Sequence, residues 1–184
     1  VWTRSGELVE TLQIPALPPN GAVSDLHFSA DGSILGVAIG SETGGTERNE
    51  QYSVKLWRRE GTTWVPYPSI PYPESVNSIA FSPEPGQLAV ASGKTVKLWT
   101  RDRSVQPDSC PMTAFATVRS LSYSPDGKIL ATASDDKKIR LWAVKRDRDK
   151  LWPEGGCSAL KSPIEPITTI DQNVFVNRIR FSPD

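Results

Sequence analysis

Alternating apolar and polar residues predict short β-strands along this chain. The stretch from Val118 to Trp142, VRSLSYSPDGKILATASDDKKIRLW, contains three such runs. The turn sequence Ser124-Pro-Asp-Gly127 separates the first two, since proline fixes φ, aspartate bonds to nearby backbone and glycine accepts positive φ. Asp135-Asp-Lys137 separates the second run from the third. The stretch is therefore predicted to form three antiparallel strands joined by tight turns.

The first of these runs, with its turn, is one of four similar copies in the chain. Each copy begins with a valine, has an apolar residue three positions later and reaches an aromatic residue two positions after that. The copies begin at Val23, Val76, Val118 and Val176. Such repetition predicts one supersecondary unit used several times within a single domain.

A second recurring element closes three of the copies with a tryptophan. The sequences SVKLW, TVKLW and KIRLW end at Trp57, Trp99 and Trp142. The chain is therefore divided into three repeats, at approximately residues 3–57, 58–99 and 100–142, and a partial repeat over residues 143–184.

Each repeat is predicted to supply four strands, a to d. In the second repeat, strand a covers Val76–Ser82, strand b covers Gln87–Ser92 and strand c covers Thr95–Trp99. Strand d lies between a tryptophan and the next valine, and its candidates are Thr62–Val65 and Glu7–Leu12. None of the 16 prolines falls within strands a to c. The proline pattern supports this layout, because proline is tolerated at sheet edges and in loops.

The predicted sheets have apolar residues on both faces. Strands b and c are apolar at many positions, and Ser78 and Ala80 alternate with Ile79 and Phe81 on strand a. The neighbouring repeat, stacked face to face, is the simplest cover for such a sheet. Four-stranded antiparallel sheets stacked radially form a β-propeller, which is the predicted all-β fold class.

The full pattern, V-x-x-[IL]-x-F-S-P-D-G-x-x-[IL]-A-x-A-S-x-D-x-x-[IV]-[KR]-L-W, resembles the WD40 repeat family. Its spelling is similar to that of bacterial, especially cyanobacterial, members. The resemblance implies a hydrogen-bonded network that holds each blade together. The residues at its structural positions are Trp57, Trp99, Trp142 and Asp136.

The chain departs from the family pattern in this polar network. Gln51 and Gly93 stand at the positions that match Asp136. The family's histidine before strand a is missing from every copy, since the only histidine, His27, lies inside a strand. Each lost buried bond costs about 1 kcal/mol. We therefore expect apolar packing, rather than the polar network, to hold the blades.

The resemblance also implies a propeller with about seven blades. Three complete repeats are fewer than that number. The chain is therefore expected to be a segment of a larger propeller, whose missing blades come from the rest of the parent chain.

Charge and composition narrow the classes of partner. The chain has 21 basic and 21 acidic residues, which leaves no global field that favours nucleic acid or an anionic membrane. It also has no run of about 18 apolar residues that would predict a membrane span. Cys110 and Cys157 form no CxxC motif, and free thiols in a reducing compartment are favoured over a disulfide. The expected location is the cytoplasm.

No catalytic, cofactor-binding or metal-binding residue is predicted. His27 alternates with apolar neighbours on a strand and is interpreted as structural rather than as a base. The Gly-rich residues 40–51 are interpreted as an extended b–c loop rather than a phosphate cradle. Asp135-Asp136 favours a turn over a weak cation site. The alternating charges of residues 145–150 favour a solvated segment over a nucleic-acid patch.

Binding is expected on the face where the b–c and d–a loops emerge, because loops on a rigid scaffold commonly carry binding residues. Residues 40–51 and Pro153–Phe175, the latter taken largely as a d–a loop, both extend this face. Trp64 and Trp152 are expected to pack at the blade rim, with a partner anchor as the alternative. The resemblance implies partner contacts at the start of strand a. The candidate residues there are Asp25, Asn77, Arg119 and Asn177.

The leading hypothesis is a non-catalytic, cofactor-free scaffold that binds a protein partner. The resemblance makes it the sensor or interaction part of a larger bacterial signalling or effector protein. One alternative is a ligand-binding or enzymatic propeller with its chemistry in the central channel. Another is a structural spacer, in which deletion of the loop at residues 40–51 would leave the parent protein's activity intact.

Overall fold

The computed structural model describes residues 1, 5–8, 10–14, 17–18, 20–41, 52–100, 112–144 and 165–182. These residues form β-strands joined by turns and connecting segments, with no helix among them. The strands are β1 (Gly21–Phe28), β2 (Ile34–Ser41), β3 (Ser53–Glu60), β4 (Thr63–Pro71), β5 (Val76–Phe81), β6 (Gln87–Ser92), β7 (Thr95–Thr100), β8 (Met112–Thr113), β9 (Val118–Tyr123), β10 (Ile129–Ser134), β11 (Lys138–Ala143) and β12 (Thr168–Asp171).

The strands form three four-stranded sheets in which strands consecutive in the chain lie side by side. The first sheet contains β1 to β4, the second β5 to β8 and the third β9 to β12, and every pairing is antiparallel. The predicted all-β class and its propeller blades are confirmed. The predicted strands a, b and c of the second repeat correspond to β5, β6 and β7, with differences of one residue at two ends.

Strand d is an edge strand, as the proline pattern indicates. In the first sheet it is β4, which extends beyond the candidate Thr62–Val65 and contains Pro66 and Pro68. The candidate Glu7–Leu12 was wrong, because its described residues form only a single bridge at Leu8. A strand d between Trp142 and Val176 is confirmed, and it lies within Pro153–Phe175, which is interpreted as largely a loop. This stretch contains β12, whose residues pair with β11 and complete the third sheet.

Tight turns join strands a and b where the Asp-Gly sequences predict them. Asp31 Oδ1 accepts hydrogen bonds from Ser29 Oγ at 2.6 Å and from the backbone N–H of Ser33 at 3.0 Å. Gly32 has φ +66°, a conformation that glycine adopts without a steric penalty. The third sheet repeats the arrangement, with Asp126 accepting from Ser124 Oγ at 2.6 Å. These local bonds set the register of each strand pair.

Neighbouring sheets pack face to face through apolar side chains. Ala38 of the first sheet and Val90 of the second belong to one core cluster. Ala91 of the second sheet and Leu121 of the third belong to another. All six residues of β6 are buried. The second sheet is therefore covered on both faces, as the sequence predicts.

The other face of the first sheet is covered by the N-terminal segment. Leu12 and Ile14 pack against a cluster that includes the buried Trp57 and Trp64. Glu10 Oε2 accepts a hydrogen bond from the backbone N–H of Trp64 at 3.0 Å. Trp64 is thus a packing residue, as expected.

The polar network is partly present, which corrects the expectation that apolar packing alone holds the blades. In the third sheet, Nε1 of the buried Trp142 donates to Thr132 Oγ1 at 3.0 Å. In the second sheet the position of Thr132 is taken by Val90, and Trp99 Nε1 donates instead to Tyr72 Oη at 2.5 Å. Burial raises the pKa of the Tyr72 hydroxyl, although the bond from Trp99 acts in the opposite direction. The two blades therefore satisfy equivalent indole groups in different ways.

No helix long and apolar enough to cross a membrane occurs in the part of the chain described above.

Candidate interaction face

The turns between strands b and c and the connections that precede strand a lie at the same end of the sheets. We call this surface the upper face, and its described connections are residues 72–75, 93–94, 114–117, 135–137 and 172–175. The connections bond to one another through their backbones. Val118 N–H donates to Gly93 O at 2.9 Å, and Asp135 N–H donates to Thr117 O at 2.9 Å. The upper face is therefore a continuous, hydrogen-bonded surface.

Serine residues at the ends of two b strands strengthen this surface. Ser92 Oγ donates to Glu74 O at 2.9 Å, and Ser134 Oγ donates to Ala116 O at 3.0 Å. The serine of the repeated Ala-Ser sequence thus ties strand b to the connection before strand a. The repeated serine therefore fixes the connections that are expected to carry binding residues.

β1, β5 and β9 each have a β-bulge at the residue that follows the valine of the repeat. The register shifts occur between Val23 and Asp25 in β1 and between Val76 and Ser78 in β5. In the third sheet, Val118 and Ser120 of β9 pair with consecutive residues of β10, so Arg119 is the extra residue. A bulge re-aims the extra side chain. The extra residues at these bulges are Ser24, Asn77 and Arg119.

This register corrects the alignment of one candidate residue. Asp25 was grouped with Asn77 and Arg119, but it pairs with Ala38 one step after the bulge, and Ser24 holds the matching position. The repeat alignment agrees with this register, since Ser24, Asn77 and Arg119 each directly follow the valine that begins a copy. Asp25 corresponds instead to Ser78 of the second sheet.

Asp25 lies between the first and second sheets. Its Oδ2 accepts hydrogen bonds from Ser78 Oγ at 2.8 Å and from the backbone N–H of Ile79 at 3.1 Å. Asn77 makes a comparable connection, since its Nδ2 donates to Val118 O at 3.2 Å and its side chain is nearly buried. Both side chains are therefore committed to bonds between sheets, and their contact with a partner stays a prediction.

Arg119 is a more exposed candidate. Its Nη2 and Nε donate to the carboxylate of Asp135 at 2.6 and 2.8 Å, and both side chains are about one-third exposed, at 32% and 29%. These hydrogen bonds raise the pKa of Arg119. The pair joins the bulge of β9 to the turn after β10 and presents a fixed guanidinium at the surface. The fourth candidate, Asn177, is exposed in the segment that follows β12.

Asp136, the next residue of that turn, forms a buried ion pair. Its Oδ2 lies 2.7 Å from Arg140 Nη2, and the two side chains are 12% and 5% exposed. Burial acts to raise the pKa of Asp136, but the hydrogen bonds and charge of Arg140 bring it below its usual range. Asp135 and Asp136 are therefore each bound to an arginine. Within the described ranges, no group of three His, Cys, Asp or Glu side chains is placed to hold a metal ion.

His27 contacts aromatic and polar neighbours on the inner strands. Its ring centroid lies 6.4 Å from that of Phe81, and its Nε2 lies 3.4 Å from Arg180 Nη1. Its Nδ1 lies 3.0 Å from Phe28 O. The contact with Phe81 joins the first sheet to the second, and the contact with Arg180 joins the first sheet to the segment after β12.

The sequence interpretation missed two exposed aromatic residues on the upper face. Phe115 is 84% exposed and Phe175 is 62% exposed. Each precedes a strand-a valine by one to three positions. Their position beside the start of strand a was the sequence signal that could have identified them. Several other predicted features lie outside the described residues: Cys110, Cys157, Trp152 and residues 42–51 and 145–150.

Residues 69–100 and 109–143 match the model of the family described as WD domain, G-beta repeat. These two stretches contain β5 to β11 and include the bulges at Asn77 and Arg119. A comparison with curated proteins finds no match to the chain.

Proposed function

Because the chain belongs to the WD40 repeat family, we propose that it is a non-catalytic interaction module whose upper face binds a protein partner. WD40 repeats generally mediate protein–protein interaction or scaffolding. The observation that carries the proposal concerns the bulges of the a strands. The frame repeats at these positions, but the side chains differ: Ser24, Asn77 and Arg119. Ser24 and Asn77 bond to the neighbouring sheet, so Arg119, whose side chain is about one-third exposed, is the bulge residue available to a partner.

The finer part of the proposal concerns context. We assign the module to the cytoplasm, as the sensor or interaction part of a larger bacterial signalling or effector protein that supplies further blades. The spelling of the repeats and the absence of a CxxC pair support this assignment. The balanced charge supports a protein partner over nucleic acid or a membrane surface.

Site-specific photo-crosslinking tests the proposed function. A photoreactive phenylalanine analogue is placed at Lys94 or Lys137 on the upper face. Matched controls carry it at Asp126 or Lys128, exposed residues of an a–b turn at the opposite end of the sheets. Each variant is irradiated in extract of the source cells. We expect a discrete protein adduct from the upper-face positions only. Adducts from the control positions alone, or from neither face, would contradict the proposal.

A further inference from the structure

Two exposed aromatic side chains flank a single turn on the upper face. We call Phe115, Val174, Phe175 and the turn at residues 135–137 the aromatic patch. Phe115 is 84%, Val174 66% and Phe175 62% exposed. Large apolar side chains that cluster at a surface mark interaction sites more often than isolated ones do. The cluster therefore calls for a partner that covers it.

The turn holds the two aromatic residues in a fixed relationship. On one side, Asp135 N–H donates to Thr117 O at 2.9 Å, in the connection that carries Phe115. On the other side, Gln172 N–H donates to Lys137 O at 2.8 Å, in the connection that carries Phe175. Both connections are thus anchored to the same turn. Because both connections are hydrogen-bonded to that turn, a partner that contacts both rings loses less entropy on binding.

Cations support both rings from within the protein. The guanidinium carbon of Arg140 lies 5.7 Å from the ring centroid of Phe115, and Lys137 Nζ lies 5.3 Å from that of Phe175. Both distances are within the range of a cation–π interaction. The rings are therefore held in place while most of their area stays exposed.

The charges around the patch leave one cation in excess. Asp135 pairs with Arg119, Asp136 with Arg140, and Asp171 with Lys138, at 2.6 to 2.7 Å. Within the part of the chain that the structure covers, Lys137 has no carboxylate within ion-pair distance. It is also exposed. The patch therefore combines apolar area with one unpaired positive charge.

From this combination we infer that the aromatic patch binds a peptide segment of a partner protein in which a carboxylate stands next to an apolar side chain. The apolar side chain packs between Phe115 and Phe175, and the carboxylate pairs with Lys137. A nucleic acid fits less well, because its affinity depends on several phosphate contacts and the patch offers one unpaired cation. The inference rests on the proposed function, since it names the chemistry of the partner at that same face.

Selection from a phage-displayed library of random dodecapeptides on the immobilised chain tests the inference. We expect enriched peptides to carry Asp or Glu beside Leu, Ile or Phe. Phe115→Ala and Phe175→Ala should each weaken a selected peptide by about tenfold. Lys137→Glu should shift the selection toward basic peptides. Leu26→Ala, at a residue 56% exposed on β1, is the matched control and should leave binding unchanged.

The outcomes separate this inference from the proposed function. Peptides without an acidic residue, no enrichment, or binding that survives all three patch variants would overturn the inference. Binding that survives those variants but is lost in Lys94→Glu would overturn it and leave the upper face as the binding surface. Binding lost only in Lys128→Glu, at the opposite end of the sheets, would overturn both. A further outcome is that a single-stranded oligonucleotide or anionic vesicles bind, and lose that binding in Phe115→Ala as much as a selected peptide does. That result would assign the patch to another class of partner and also overturn the inference.

Discussion

The carboxylate of Asp25 accepts a hydrogen bond from the backbone N–H of Ile79 at 3.1 Å, and so joins the first sheet to the second. The next two sheets use serine in the same way. Ser78 Oγ accepts from Leu121 N–H, and Ser120 Oγ accepts from Ile179 N–H, both at 3.2 Å. Strand a is the edge strand of each sheet, so one side of its backbone has no strand partner. A side chain of the preceding sheet supplies an acceptor for that side.

Removing the acceptor at Asp25 should destabilise the fold. We expect Asp25→Ala to lower the free energy of unfolding by about 1–3 kcal/mol, because the Ile79 N–H and the Ser78 hydroxyl lose a charged acceptor. Urea denaturation followed by circular dichroism measures the change. Asp25→Ser, which copies Ser78 and Ser120, is the control and should lose less. An unchanged midpoint for Asp25→Ala would show that the bond contributes nothing net.

The hydrogen bond from the Trp142 indole to Thr132 should contribute to the stability of the third sheet. We expect Thr132→Val to lower stability by about 1–3 kcal/mol, because its nearly equal shape leaves the buried Nε1 of Trp142 without its acceptor. Tyr72→Phe in the second sheet is the comparison, because it removes the corresponding hydrogen bond from Trp99. Thermal melts with near-ultraviolet circular dichroism report both. If Thr132→Val melts at the same temperature as the wild type, the stability of the third blade does not depend on this bond.

The Asp136–Arg140 pair should make stability depend on acid. The folded pKa of Asp136 lies below its ordinary value of 3.8. Its contribution is therefore fully present above pH 3.8 and is lost as the pH falls through the folded pKa. Asp136→Asn should cost about 3 kcal/mol at neutral pH, because it leaves Arg140 buried and unpaired. Unfolding curves between neutral and acidic pH measure both effects.

A double variant separates charge from packing at this pair. Asp136→Asn combined with Arg140→Met removes both charges and keeps apolar volume beside Phe115. We expect it to recover most of the stability that Asp136→Asn loses, since replacing a buried pair with apolar groups is often neutral. A double variant as unstable as Asp136→Asn alone would contradict this account.

Close approach of the first two sheets should make Gly40 intolerant of a side chain. A Cβ at this position would lie 2.5 Å from the carbonyl oxygen of Val76, a backbone atom that cannot turn aside. At Gly36 the nearest atoms are the ends of Ile79 and Phe81, at 3.0 and 3.1 Å. We therefore expect Gly40→Ala to lower the melting temperature more than Gly36→Ala. Equal shifts in a thermal melt would show that the backbone separates easily.

Asp31, in the first a–b turn, should stay ionised at acidic pH. Hydrogen bonds, first from Ser29 and then from Ser33, lower the pKa of Asp31 to about 2. Its stabilising effect is therefore present above its ordinary value of 3.8 and is lost as the pH falls toward about 2. Carbon-detected NMR titration measures the pKa directly. Ser29→Ala should raise it, and an unchanged value would rule out the serine as its cause.

The repeated residues made the sheets predictable from sequence. Strands a to c follow from alternation and from turn residues such as Gly127, whose φ is +68°. These signals are local, so they need no knowledge of the neighbouring sheet. Apolar residues on both faces of the sheets then predicted face-to-face stacking, and the buried faces of β6 agree with it.

Features set by contacts between units could not be predicted. The bulges at Ser24, Asn77 and Arg119 are one such feature, because the extra residue does not disturb the alternating pattern. The indole of Trp99 found Tyr72 as its partner, although the family's histidine is missing. The position of β12 within Pro153–Phe175 could not be predicted, since its four residues are all exposed and lack an apolar face. In each case the deciding interaction is with a residue distant in the chain.

The bonds between sheets bear on how such a chain can evolve. At each junction one unit supplies the acceptor side chain and the next unit supplies a backbone N–H, at Ile79, Leu121 or Ile179. Every residue except proline carries that group. A duplicated gene segment therefore brings its own attachment, and the receiving unit is free to accumulate substitutions. The array can lengthen and its surface can diverge while successive units stay joined.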